Sequence, residues 1–174
     1  MLHKNRISIT GPESCGKSLL AKQLAEYYNT NYCEEVSRNY LKNKTAYDYE
    51  DILEIAKLQL KKENDLYEAR NSIIFCDTDI LVNLIWSKYV FNKVDNWITD
   101  KFTKHEYGLY LLCYPDIEWE FDPLRENPTN REELFQLYEN ELKTFGYNYV
   151  IIRGKGNKRI LSAVNAVNKY LSTI

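Results

Sequence analysis

Between a short β-type run, Arg6 to Thr10, and a segment of helical period lies GPESCGKS, residues 11–18, a full match to G-x-x-x-x-G-K-S. No other feature constrains the fold as strongly. Glycines let backbone N–H groups turn inward around phosphate oxygens, and the following helix presents its positive end to them. That geometry needs a strand before the loop and a helix after it. Both are present, since Leu19, Leu20, Leu24 and Tyr27 or Tyr28 recur at the helical period over Ser18 to Tyr28. In this arrangement Lys17 reaches the β- and γ-phosphates, and the Ser18 hydroxyl ligates magnesium. Gly11, Glu13, Ser14, Cys15, Gly16, Lys17, Ser18 and Leu19 are therefore the loop's candidate nucleotide-binding residues, joined by Arg131 further along.

The rest of the chain keeps alternating. A short second strand is expected near Asn31 to Cys33, before EEVSRNYL. Asp48 to Arg70 reads as a long polar helix with Ile52, Ile55, Ala56, Leu60 and Leu66 along one side. Ile73 to Cys76 is a fully apolar strand, Ile80 to Tyr89 returns to helical spacing, and Tyr107 to Tyr114 is another buried strand. Pro115 to Asn130 holds three of the four prolines and reads as a long loop, a length that points to function in so short a chain. Asn130 with Glu133 predicts an N-cap and capping box for a helix over Arg131 to Thr144. A last strand, Tyr147 to Ile152, and a helix from about Lys158 to Leu171 complete the pattern. Strands that alternate with helices need crossover connections. The expected class is α/β, a three-layer P-loop NTPase fold with a mostly parallel sheet and helices on both faces. At 174 residues the chain suits one domain, expected over residues 1–174 with a lid-like loop at about 115–131.

Composition removes several function classes. A chain that is 44% hydrophobic and 28% charged, with net charge −2, is neither disordered nor a nucleic-acid polycation. No run approaches the roughly 20 apolar residues of a membrane span, and MLHKNRISIT is too weakly apolar for a signal peptide. Cys15, Cys33, Cys76 and Cys113 form no C-x-x-C pair, which fits reduced thiols in a cytoplasmic protein and argues against structural zinc. The sequence does not decide whether Cys15 inside the loop is redox sensitive; that a helix amino terminus can depress a thiol pKa makes it a hypothesis. The 15 tyrosines point to amphipathic packing at the edge of the core. Asn92 to Asp95 reads NKVD, a literal match to the guanine-recognition signature of GTPases. That signature belongs after a buried strand, whereas IWSKYVF before it reads as a helix end, so a solvated turn is expected there.

The polar residues after each strand suggest chemistry. Asp77, closing the apolar strand, takes the Walker B role and holds magnesium with Ser18. Asp79 follows two residues later. In an extended chain it would share the face of Asp77, but with a helix starting at Ile80 it also stands where an N-cap belongs. Glu35, after the second strand, can accept a proton from an attacking hydroxyl, and Arg38 can orient that carboxylate or form a surface ion pair. The long loop brings Arg125 and Arg131 beside Asp116, Asp122 and Glu126. An arginine that swings over the phosphates stabilises charge developing in the transition state, so Arg125 joins Lys17, Glu35 and Asp77 as a catalytic candidate. Trp86, Trp97 and Trp119 are candidates to stack on a planar cationic ring. Of these, Trp86 suits core packing and Trp119 is the preferred ring partner.

GPESCGKS, EEVSRNY, FCDTDILVNLIW and DIEWEFDPLRE, in this order, resemble the ribosylnicotinamide kinase domain of the bifunctional NAD-biosynthesis regulators, over roughly Ile7 to Arg159. The resemblance implies transfer of the ATP γ-phosphate, with magnesium, to the ribose 5′-hydroxyl of nicotinamide riboside. It places Glu35, Arg38 and Asp79 at the substrate, and Trp119 with Arg125 in a lid. Trp86 and Asp122 complete the candidate substrate set. Two features depart from the family. Only ten residues precede the loop, so an amino-terminal adenylyltransferase or DNA-binding domain is not expected, and Val36 stands where an aromatic often follows the glutamate. Kinases of other nucleosides or nucleotides, and a regulatory ATPase switch, are the competing readings. The expected partner is a small-molecule nucleoside, with neither nucleic acid nor membrane, and nothing in the pattern signals an oligomeric state. Between the two carboxylates, Glu35 is expected to take the proton and Asp79 to face the substrate while capping its helix.

Overall fold

The computed structural model describes residues 4–70, 73–104 and 107–174. The first three residues of the amino-terminal segment assessed as a leader thus lie outside it. Five strands, β1 (Arg6–Thr10), β2 (Tyr32–Cys33), β3 (Ile74–Asp77), β4 (Leu109–Cys113) and β5 (Tyr149–Ile152), form one parallel sheet in the order β2-β3-β1-β4-β5. Between them run α1 (Lys17–Tyr27), α2 (Ser37–Leu41), α3 (Tyr49–Arg70), α4 (Ile80–Phe91), α5 (Asn96–Thr103), α6 (Arg131–Thr144) and α7 (Asn157–Leu171). The chain moves from β3 on one side of β1 to β4 on the other, and ligands of open α/β sheets bind beside such a reversal.

The alternation of each strand builds two cores. Ile7, Ile9, Phe75, Leu109 and Leu111 pack on Leu20 and Leu24 of α1 and on Val164 and Val167 of α7. Ile74, Cys76, Tyr110 and Leu112 face the other way, onto Ile52, Ala56 and Leu60 of α3, Leu81 and Leu84 of α4, and Phe135 of α6. The result is the expected three-layer arrangement. On β1 the second face carries Arg6, Ser8 and Thr10, all fully buried. A buried strand with a polar face must find partners for it. Arg6 sits 3.7 Å from Glu63, while the Ser8 and Thr10 hydroxyls both donate to Asp79.

Several local expectations need correction. Asn130 precedes α6 but makes no cap hydrogen bond; its amide donates to Tyr89 Oη and Asn127 Oδ1 instead, so the capping box does not form. The helices α2 and α5, too short to show a clear period, were not anticipated. NKVD links α4 to α5: Asn92 closes α4 at φ 51° and the Asp95 carboxylate caps α5 at the Trp97 N–H. Its asparagine and aspartate are spent on helix ends, as expected of a turn. All four cysteines are free and buried. Among the described residues, no helix is long and apolar enough to cross a membrane.

Candidate active site

The phosphate loop joins β1 to α1 at the carboxyl end of the sheet. Gly11, at φ 130°, needs its missing side chain, since a Cβ there would stand 2.8 Å from the Cys113 carbonyl oxygen. Gly16, at φ 77°, opens α1. Lys17 Nζ donates to the carbonyls of Gly11 at 2.9 Å and Pro12 at 2.7 Å. Burial alone would lower the Lys17 pKa, but Cys15, Glu35 and Asp77 outweigh it and hold it above its ordinary value, so the ammonium stays charged. Burial would likewise raise the Cys15 thiol. The hydrogen bond from Cys113 and the charges of Lys17 and Arg159 win, bringing it down to about 6.

Asp77 ends β3 almost wholly buried, with its Oδ1 lacking any hydrogen-bond partner. Burial pushes its carboxyl up to about 6, against the Ser18 hydroxyl bonded to it. A hydroxyl paired with a carboxylate that has a spare buried oxygen fits magnesium, which takes few protein ligands and fills the rest from phosphate and water. Thr78 then turns the chain at φ 71°, a strained region for a β-branched residue. This one dihedral breaks the period of two, so Asp79 does not share the face of Asp77. It points beneath β1, fully buried, accepting from Ser8, from Thr10 at 3.3 Å and from the Val82 N–H at 2.9 Å. Its pKa is also pushed up to about 6 by burial, against those hydrogen bonds. Asp79 is the N-cap of α4 and lies outside the cavity.

The cavity over the loop measures ≈ 490 Å³, within the usual range for small-molecule sites. Gly11 to Leu19, Glu35, Arg38, Trp86 and Arg125 all line it, although they come from four separate stretches of the chain. Glu35 accepts from the Ser37 hydroxyl and lies 3.6 Å from Arg38, whose guanidinium holds Asp122 at 2.7 Å. Asp122 and Arg131 stand behind the lining: Arg131 donates to the carbonyls of Ser14 and Ile117, both at 2.9 Å. Trp86 packs against the core as expected and also reaches the cavity, whereas Trp119, the preferred ring partner, does not line it. Trp86 donates to Tyr47 Oη at 3.0 Å, while Trp119 donates to Glu13 at 3.2 Å. Trp97 packs against the hydrophobic core.

The segment between β4 and α6 is fastened to the phosphate loop. Glu13 accepts from Trp119 Nε1 and from the backbone N–H groups of Glu126 and Asn127; Ser14 Oγ accepts from the Glu120 N–H at 3.0 Å and from Arg125 at 3.3 Å. Sequence reasoning missed three contributors. Tyr47 joins Trp86 and passes a 2.9 Å hydrogen bond to Glu126. The buried Arg159 ties the Cys15 carbonyl to Asp116 and Gly154. Gln59 holds the Val36 N–H at 3.0 Å. Only Arg6, a charge inside an apolar strand, gave a sequence hint of a buried polar layer.

Comparison with known proteins agrees with this fold. The trifunctional NAD biosynthesis/regulator protein NadR of Escherichia coli K12 is 24% identical over 173 residues, covering 95% of this chain and 42% of that protein. The corresponding protein of Salmonella typhimurium gives the same values. This chain thus spans less than half the length of those relatives. A solved NadR structure in complex with NR superimposes with a TM-score of 0.82 at 22% identity, covering 96% of this chain and 49% of that one. Thymidylate kinase from Ehrlichia chaffeensis reaches 0.65 at 15% identity, over 95% of this chain and 97% of that one. The profile described as an AAA domain matches residues 6–159, from the first residue of β1 to the arginine that ties down the phosphate loop, and the chain belongs to that family.

Proposed function

We propose that the chain is an ATP-dependent kinase that moves the γ-phosphoryl group of ATP to the ribose 5′-hydroxyl of nicotinamide riboside, giving nicotinamide mononucleotide. The observation that carries this reading is one cavity lined by both a phosphate-loop lysine and a carboxylate after β2. Phosphoryl transfer asks for those two parts, because catalysis rests on charge stabilisation and on placing the acceptor hydroxyl. Glu35 accepts the 5′-hydroxyl proton as the oxygen attacks the γ-phosphorus, and ADP departs. Lys17 and Arg125 stabilise the charge that collects on the phosphoryl oxygens. Ser18 and Asp77 would hold magnesium, which supplies neutralisation of the triphosphate. Trp86 with Tyr47 offers an aromatic wall for a pyridinium ring, and the Glu126 carboxylate beside them favours a cation. The segment of about residues 115–131 acts as the lid, anchored at Glu13 and Ser14. NadR bound to NR, and NadR bound to NAD and AMP-PNP (TM-score 0.77), support the same assignment.

Incubation with magnesium and ATP, with and without nicotinamide riboside, tests it by following ADP and mononucleotide. Hydrolysis that ignores the riboside and yields no mononucleotide would point to an ATPase switch instead. Faster turnover of another member of a nucleoside panel would move the acceptor.

A further inference from the structure

Glu35 belongs to a short segment, residues 34–37, that carries no cap of its own. Val36 starts α2 with helical backbone angles and no side-chain cap hydrogen bond. Its N–H is nevertheless satisfied, because Gln59 Oε1 of α3 accepts it at 3.0 Å from 23 positions away. The other end of the same amide donates to Glu63 Oε1 at 3.0 Å, one helical turn further along α3. Glu63 is itself fully enclosed, bonded by the Tyr107 hydroxyl at 2.8 Å and facing Arg6 at 3.7 Å.

The order of these groups decides which way the Gln59 amide points. Glu63 Oε1 accepts from the Gln59 NH₂, and its other oxygen already accepts from the Tyr107 hydroxyl, so the NH₂ of Gln59 faces Glu63. The carbonyl oxygen is then left facing Val36, whose N–H only donates. Gln59 is 2% exposed, so water does not compete for either end. Reversing the amide would set oxygen against carboxylate and nitrogen against N–H, two unsatisfied pairs in a buried place. The buried ion layer under β1 therefore fixes one amide, and that amide fixes the backbone beside Glu35. Two direct ties hold the carboxylate itself, from the Ser37 hydroxyl and from Arg38 at 3.6 Å.

We infer that Gln59, oriented by Glu63, is a positioning residue that sets the attitude of Glu35 toward the acceptor hydroxyl, an inference that rests on the kinase reading. Gln59 lies outside the cavity lining and acts only through the Val36 backbone. Its loss should thus strike the transfer step and leave nucleotide binding alone.

The test compares wild type with Gln59→Leu, Gln59→Asn and Gln59→Glu, measuring kcat, both KM values and hydrogen exchange at the Val36 amide. Leucine removes the acceptor, and asparagine withdraws it by one methylene. Both should speed Val36 exchange and lower kcat on the order of a hundredfold, the scale set by a displacement of roughly 1 Å at a reacting group. The KM for ATP should stay within about twofold, as expected when only transition-state interactions are lost. Glutamate still offers an oxygen to Val36 but sets its other oxygen against Glu63, so it should recover part of kcat only where the two carboxyls share a proton, towards acid pH. Should the leucine variant not fold, the asparagine variant carries the comparison. Wild-type kcat in a folded Leu or Asn variant overturns the inference, and so does a fall in kcat with Val36 exchange unchanged. If wild type leaves nicotinamide riboside unphosphorylated, the kinase reading fails separately, and Val36 exchange in the variants still decides whether Gln59 holds this segment.

Discussion

Glu13 Oε1, inside the phosphate loop, accepts the backbone N–H of Asn127 at 2.6 Å, a bond that spans 114 positions of chain. The same carboxylate accepts from the Glu126 N–H at 3.0 Å and from Trp119 at 3.2 Å. A residue at a variable position of the phosphate-loop pattern is thus the main fastening of the proline-rich segment. Glu13→Ala should speed hydrogen exchange at Glu126 and Asn127. It should also raise the KM for ATP about tenfold, the equivalent of losing one charge-assisted hydrogen bond. Unchanged exchange at those two amides would rule the fastening out.

Lys17 and Glu35 line one cavity but should fail differently. Lys17→Ala removes the cation proposed to meet the phosphates, and turnover should fall by at least about a hundredfold together with ATP affinity. Glu35→Gln keeps the shape and removes the proposed base, so transfer should fall on the order of a hundredfold or more while calorimetric ATP binding holds. A fully active Glu35→Gln enzyme would hand the proton to another group.

Asp79 is built as a cap, with all its contacts internal. Asp79→Ala strips the α4 cap and leaves the Ser8 and Thr10 hydroxyls short of an acceptor. Urea unfolding should register a loss of about 2–4 kcal/mol. The KM for the riboside should be unchanged in the protein that remains folded. A selective rise in that KM, with stability intact, would return Asp79 to the substrate.

The Glu63 carboxyl is pushed up to about 7 by burial, with Arg6 and the hydrogen bonds of Gln59 and Tyr107 opposing. An acid whose folded pKa lies above its unfolded value binds its proton more tightly when folded. Its contribution is complete below the unfolded pKa and is lost as pH rises toward about 7. Thermal midpoints of Glu63→Gln should therefore fall less than those of wild type between pH 5 and pH 8. Equal pH dependence in the two proteins would show that Glu63 does not titrate in this window.

What could be seen in the sequence divides along physical lines. The phosphate loop, the strand that ends at Asp77 and the alternation of strands with helices depend on residues adjacent in the chain, and these were legible. Asp79 was half legible: its cap position followed from the helix start, but its direction hangs on the single positive φ of Thr78. That Trp86 reaches the cavity while Trp119 does not was hidden, because cavity walls are assembled from distant segments, and periodicity speaks only of the helix that carries a residue. The Gln59–Val36 and Glu13–Asn127 bonds left no local trace at all. Each joins polar groups whose neighbours give no reason to expect a partner.

The two carbonyl bonds of Lys17 have a further consequence. Any triphosphate that draws on more than one of this ammonium's three donors must displace a Gly11 or Pro12 oxygen, so the loop's own backbone competes weakly for the charge. Nucleotide affinity is then a difference between two clients of one charge. A change that turns either carbonyl away, without touching an N–H donor, should tighten nucleotide binding where most changes to such a loop weaken it.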